Sequence, residues 1–358
     1  MMTGIERINN ILQHKSVDRI GLYENFWQDT RGSWTASGKI KKDESLEDHF
    51  GLDMQRLFTL NLIADIDFEK EILEETEDTI LIKDGNGAIL RKHKKHETTP
   101  EHVDFTVKDR AAWEEFIKPK LKWDRKRISF EEYRRAKQHA SKNNRFFAWS
   151  GVNVFTILNS LCGTEYLLMG MALDPDWIKD MVETYSNLMI ELLETLFSEE
   201  GSPDGIWFSE DMGFKHKPFF SQAMYKELIQ PGHKKTIDYS HSRGLPVIMH
   251  SCGFVDPLLP GMIEAGIDCL QALEVKAGMD LLKLYKQYGD DIAFMGGIDV
   301  RTLCSNDKKI IDEELNMKIP ELKKKFAYVI HSDHSIPETV EYDTYKYFIE
   351  KVMELGKY

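Results

Sequence analysis

His250 and Cys252, two positions apart, are the residues of this chain best suited to hold a metal. They close the stretch Gly244-Leu245-Pro246-Val247-Ile248-Met249-His250-Ser251-Cys252-Gly253, where a turn residue and a proline precede an apolar run of strand length. In a strand, residues i and i+2 point to the same face. A strand that extends through Cys252 therefore sets an imidazole beside a thiol, with Gly253 opening the turn beyond them. Both are borderline-to-soft ligands suited to zinc. The plainer alternative is a buried histidine beside a buried free cysteine, so other residues must decide.

Such residues need strand ends to carry them, and the second half of the chain supplies these by alternating strand and helix. A strand at 145–150 comes first. Asp174-Pro175 then provides an N-cap and first-turn proline for a long amphipathic helix whose inner side holds Trp177, Met181, Tyr185, Leu188, Leu192 and Leu196. A strand at 205–209 ends in Glu210-Asp211, and a helix over 221–243 leads to the His250/Cys252 strand. Helix 255–265, strand 269–274, helix 281–288, strand 292–297, helix 307–325, strand 328–331 and helix 341–355 complete the series. Consecutive βα units imply a parallel sheet, either a closed barrel or an open doubly wound sheet. An open nucleotide-binding sheet carries a Gly-rich loop after its first strand. None is present, and Gly296-Gly297 does not fit that pattern. The expected fold class is α/β, a (β/α)8 TIM-type barrel.

The first half reads as an N-terminal helical and β-hairpin excursion on that barrel. Thr3-Gly4-Ile5-Glu6 has the form of a capping box, and Ile5, Ile8, Ile11 and Leu12 follow at helical spacing. A first strand is expected within 17–24. The aromatic, polar segment 25–38, with Phe26, Trp27, Arg31 and Trp34, suits the lining or lid of a pocket, the alternative being that its two tryptophans simply pack. A short helix fits 45–50. Asp84-Gly85-Asn86-Gly87 between two apolar runs signals a hairpin over 79–91. Polar surface helices fit 108–116 and 130–143. With no Pro/Gly/Ser-rich linker and no internal repeat, residues 1–358 read as one domain with a hairpin insertion near 75–106.

Composition sets outer bounds. The chain has 358 residues, 42% hydrophobic and 30% charged, ordinary for a globular enzyme with a large core. A net charge of −13 argues against a nucleic-acid binder and, less strongly, against a site that grips a polyanion. The basic clusters at 91–96 and 118–127 are short and followed by acids, as solvated faces are. Four cysteines without regular spacing fit a reducing compartment. No apolar signal region opens the chain and no run reads as bilayer-spanning, so a soluble cytoplasmic protein without membrane or nucleic-acid partners is expected.

In a barrel, chemistry collects at the carboxyl ends of the strands. Those ends carry Glu210 and Asp211, His250 and Cys252, Glu274, Asp299, and His331, Asp333 and His334. Burying so many titratable groups is costly unless they are paired or ligated. Each acid also has a structural explanation: Glu210 and Asp211 can begin a loop, Glu274 can pair with Lys276, and Asp299 can cap the next helix. The register of one strand decides whether His331 or His334 faces the cleft.

Segments 240–253, Leu273-Glu274-Val275-Lys276-Ala277-Gly278-Met279-Asp280, Gly296-Gly297-Ile298-Asp299 and His331-Ser332-Asp333-His334-Ser335-Ile336-Pro337 resemble the uroporphyrinogen decarboxylase superfamily. The opening 7–20 is similar to that family's N-terminus as well, and the likeness is densest from Trp207 onward. It implies a barrel with a deep cleft at the strand ends. The superfamily holds porphyrinogen decarboxylases and zinc-binding, corrinoid-dependent methyltransferases. His250-Ser251-Cys252-Gly253 is similar to the methyltransferase metal motif, His-x-Cys followed by a later third ligand. That third ligand is a cysteine in thiol-methylating members, whereas the corresponding position here is His334, and decarboxylases also carry a histidine there. The resemblance thus implies zinc held by His250, Cys252 and His334, joined by Glu274.

The decarboxylases grip an octacarboxylate with an arginine-rich stretch after the first strand, and residues 23–34 offer only Arg31. The expected activity is therefore a zinc-dependent methyl transfer between a small substrate and the cobalt of a corrinoid carried by a partner protein. The small substrate is a methoxylated or methylated-amine donor or a thiol acceptor, and Glu210, Asp211 or Asp299 orient it or carry a proton. The alternatives are a metal-free decarboxylase and a catalytically idle barrel that binds a partner.

Overall fold

The computed structural model describes residues 2–95 and 100–358. His96, the last residue of the first basic cluster, lies outside the described residues. Among them two sheets form, one of eight strands and one of four. The larger contains β1 (Gly21–Leu22), β2 (Met54–Phe58), β7 (Phe146–Val152), β8 (Gly205–Ser209), β9 (Val247–Ser251), β10 (Cys269–Ala272), β11 (Ala293–Gly296) and β12 (Tyr328–Ile330). Its order is β1-β12-β11-β10-β9-β8-β7-β2, with every ladder parallel. This is the (β/α)8 TIM-type barrel expected from the alternation.

The two outer strands meet through Asp53 rather than through a ladder. The Asp53 N–H donates to Leu22 O at 2.8 Å, and the Asp53 carboxylate accepts the Leu22 N–H at 2.9 Å. That carboxylate also accepts Arg7 Nη1 at 2.6 Å and Arg19 Nη1 at 2.7 Å. The helix Gly4–Leu12, which carries Arg7, is held at its start by the reciprocal Thr3/Glu6 capping box. One buried acid thus links the first helix, β1 and β2 at the seam.

The smaller sheet contains β3 (Glu71–Glu75), β4 (Thr79–Lys83), β5 (Ile89–His93) and β6 (Glu101–Asp104), all antiparallel. Its central hairpin pairs Lys83 with Ile89 across Asp84-Gly85-Asn86-Gly87, as the turn residues require. Two expectations for the first half become more specific. The first strand spans only Gly21–Leu22, and segment 25–38 is largely the helix Gln28–Ala36. Trp34 faces the core, while Asn25 and Trp27 line a pocket.

The helix Val154–Leu173 fills the interval between β7 and the amphipathic helix Pro175–Glu200. By length and apolarity alone it would cross a bilayer, contrary to the expectation that no run is long enough. However, 56% of its apolar window is buried inside the fold. Phe155, Leu158, Leu161 and Leu167 are fully buried there.

Candidate metal centre

Parallel register brings the site together at the carboxyl mouth of the barrel. On β9, His250 is opposite Ser209 of β8 on one side and Gln271 of β10 on the other. β9 ends at Ser251, yet Cys252 keeps the orientation the i, i+2 spacing implies, with Sγ 3.3 Å from His250 Nε2. Asp211, just past β8, places Oδ1 3.3 Å from the same nitrogen and accepts the Cys252 N–H at 2.9 Å. One ligand atom from each of Asp211, His250 and Cys252 lies within 4.8 Å of the others, a spacing compatible with a shared metal ion.

Hydrogen bonding orients the histidine. His331 Nδ1 contacts Ser332 O, which can only accept, so that nitrogen bears the proton and Nε2 is bare. Gln271 Nε2 donates to that bare nitrogen at 3.3 Å, which turns Gln271 Oε1 toward His250 Nδ1. His250 therefore donates from Nδ1, which leaves Nε2 as the nitrogen facing Cys252 and Asp211, able to give its lone pair to a metal that displaces its proton. This is the orientation a metal-binding imidazole needs, fixed by an outer partner as such ligands usually are.

The field at the cluster is negative. Burial lowers the His250 pKa, but the neighbouring Cys252 and Asp211 outweigh it and hold the imidazole well above its ordinary value. Burial raises Asp211, but hydrogen bonding and charge from His250 bring it down to about 2. Groups that favour an imidazolium this strongly also favour a divalent cation in its place. The soft thiol, the oriented imidazole and the ionised carboxylate make a donor set that fits zinc.

The other expected site residues lie outside this cluster. Glu210 is fully buried: it accepts His233 Nε2 at 2.6 Å and the backbone N–H groups of Phe155 and Thr156 at 2.7 and 3.0 Å. It anchors the start of the helix Val154–Leu173. Glu274 accepts the Gly253 N–H at 2.8 Å and braces the loop behind Cys252 instead of turning toward Sγ. Asp299 caps the helix Val300–Cys304 and pairs with Arg301 at 2.6 Å, the structural explanation open to it from the sequence. His334 is exposed at the cavity rim, its ring 5.9 Å from that of Trp27. It sits there because Asp333, just before it, is tied to the Val275 and Val300 N–H groups at 2.8 Å each. Both His331 and His334 line the cavity, the first buried and the second at the edge.

The cavity is about 180 Å³, and His250, Cys252, Gln271, His331, Trp207 and Arg56 contribute to its wall. Sequence reasoning missed Arg56 and Gln271. Arg56 lies on β2, which gives no clear strand signal, and the Gln271 amide does not titrate. Glu24, also missed, is fully buried beneath His331. Burial raises its pKa to about 8, even though Asn25 and Ser332 donate to it.

A family model described as uroporphyrinogen decarboxylase (URO-D) matches residues 98–355. The chain belongs to the uroporphyrinogen decarboxylase family. Among solved structures it is similar to a methyltransferase from Methanosarcina mazei, with TM-score 0.70 and 15% identity over 99% of each chain. A putative vitamin-B12 independent methionine synthase from Listeria monocytogenes aligns with TM-score 0.45 and 12% identity, over 95% of this chain and 98% of that one. No curated protein matches the chain by sequence. The first of these structural likenesses supports the family's barrel across the whole chain.

Proposed function

We propose that this family member is a zinc-dependent methyltransferase that moves a methyl group between a small substrate and a corrinoid carried by a partner protein in the cytoplasm. The observation carrying this reading is the convergence of Asp211, His250 and Cys252 on one point, beside a cavity that His250 and Cys252 line. Similarity to a solved methyltransferase supports it through the fold alone.

Zinc bound there would supply Lewis acidity to the departing heteroatom of a methyl donor, or hold a thiol acceptor as its thiolate. His250, Cys252 and Asp211 would hold the ion, and Gln271 keeps the imidazole lone pair aimed at it. Trp27 and Trp207 line the cavity and restrict water around the reacting atoms. Asp211, whose carboxylate is half exposed beside His250 Nε2, can also help orient the substrate.

The competing reading is a metal-free decarboxylase, the activity that gives the family its name. A cavity of about 180 Å³ disfavours an octacarboxylate tetrapyrrole, since pockets for drug-sized ligands run to about 300–1,000 Å³. Metal analysis of purified protein tests the choice. The expected result is one zinc per chain, lost in His250→Ala together with methyl transfer to a reduced cob(I)amide-loaded corrinoid protein or from its methylated form. A protein that takes up no zinc yet releases carbon dioxide from a porphyrinogen would overturn the proposal.

A further inference from the structure

Arg56 lines the same cavity as His250 and Cys252, and its side-chain contacts among the described residues are all to neutral groups. Its Nε donates to Tyr23 Oη at 2.7 Å, and its Nη1 and Nη2 make long contacts with Ser150 Oγ at 3.3 Å and Asn25 Oδ1 at 3.4 Å. The guanidinium lies 4.8 Å over the Trp207 ring and 5.6 Å from that of Phe58. Every one of these partners is neutral. A guanidinium has five N–H donors, so these three contacts leave two unused.

The surroundings point the same way. The acid in the cavity wall, Asp333, spends both oxygens on the Val275 and Val300 N–H groups. Trp207, against whose face Arg56 rests, has a buried indole N–H with no partner among the described residues. The cavity wall therefore holds one cation with unused donors together with His250 and Cys252 of the metal-capable cluster. Arg56 is half-buried, and an acceptor-rich anion entering the cavity would give its guanidinium the charge-assisted hydrogen bonds it lacks. A carboxylate matches best, because two oxygens in one plane meet a planar fork. The overall charge of −13 makes such an arginine in a cavity more telling than it would be on a basic protein.

We propose that Arg56 selects the substrate: a small molecule with a single carboxylate, whose oxygens take the free guanidinium N–H groups while its opposite end faces His250 and Cys252. That the opposite end carries the transferable methyl group, or the atom that receives it, rests on the function proposed above. The carboxylate site itself does not.

The test uses two probes of the same chain length, 3-methoxypropionate and neutral 3-methoxy-1-propanol. Binding is read by calorimetry and by tryptophan fluorescence on full-length protein freed of metal with a chelator. Charge-assisted hydrogen bonding predicts that wild type binds the carboxylate about ten- to a hundredfold more tightly than the alcohol. Arg56→Gln is expected to erase the preference. Arg56→Lys keeps the charge but loses the fork, and is expected to retain part of it. Equal binding of the probes by wild type, binding of neither, or an unchanged preference in both variants would overturn the proposal. Because no metal is present, a missing preference leaves the zinc reading standing. Failed zinc binding with the preference intact removes only the zinc reading.

Discussion

Cys252 Sγ stands 3.3 Å from His250 Nε2, although the strand that carries the histidine ends one residue before the cysteine. The pairing survives because the Cys252 N–H is held by Asp211 and the next N–H, that of Gly253, by Glu274. Two acids from neighbouring strand ends thus extend the alternation of β9 past its last ladder bond. Replacing Cys252 with serine removes the soft ligand and leaves these backbone contacts in place. We expect Cys252→Ser to fold normally and to bind zinc at least about tenfold more weakly, as loss of a directly ligating thiolate demands. Chelator competition measures the affinity, and an unchanged value would mean the thiol does not ligate.

Gln271 offers a subtler test, since it touches no proposed ligand atom directly. Its amide oxygen fixes the proton on His250 Nδ1, and Gln271→Leu leaves that proton without an acceptor. Outer partners of this kind are worth about 10–100-fold in metal affinity. Zinc affinity is expected to fall by that factor in Gln271→Leu and to be largely kept in Gln271→Glu, whose carboxylate still accepts. A leucine variant with wild-type affinity would show that the ring is oriented by packing alone.

How far the sequence foretold this arrangement depends on the kind of signal each residue leaves. The capping box at Thr3, the turn at 84–87 and the helix Leu281–Tyr288 follow local rules and were legible. So was the His250/Cys252 pair, because period-two alternation is a property of the strand itself. The helix Val154–Leu173 was not, because it is apolar around most of its circumference and interrupted at Gly163, where φ is +70°. β2 was hidden by Gln55 and Arg56, polar residues in the middle of a five-residue strand. Of the acids at strand ends, only Asp211 joins the metal-capable group. Which carboxylate turns toward a ligand and which toward a backbone N–H depends on loop geometry that no spacing encodes.

Glu24 should leave a mark on the pH dependence of stability. Its pKa of about 8 in the fold means the folded chain binds this proton more tightly than the unfolded chain does. Its contribution is therefore full at pH values below the ordinary carboxyl range. It is lost as pH rises toward 8, with a slope of at most about 1.4 kcal/mol per pH unit. Glutamine mimics the protonated carboxyl, so Glu24→Gln is expected to gain on wild type between about pH 6.5 and 8 in urea denaturation. His331, which burial lowers to about 3, acts in the opposite sense between about pH 3 and 6.5 and lies 3.4 Å from Glu24, so the comparison is read above that range. Parallel stability curves for the two proteins would show that Glu24 is not protonated in the fold.

The barrel seam gives the last prediction, and it concerns stability alone. Asp53 is 3% exposed and accepts from Arg7, Arg19 and the Leu22 N–H, joining the first helix to β1 and β2 where no ladder closes the sheet. Breaking a buried ion pair from one side leaves the opposite charge stranded, at a cost of about 3–5 kcal/mol. Asp53→Asn keeps the shape but strands Arg7, which is 2% exposed and has only Asp18 left to balance it. Its urea midpoint is expected to fall by an amount corresponding to that cost, with the slope of the transition unchanged. Asp343→Asn is the control, because its pair with Lys39 is solvent-exposed on both sides and worth about 1 kcal/mol or less. Similar small losses in the two variants would mean that helix packing closes the barrel and the Asp53 network contributes little.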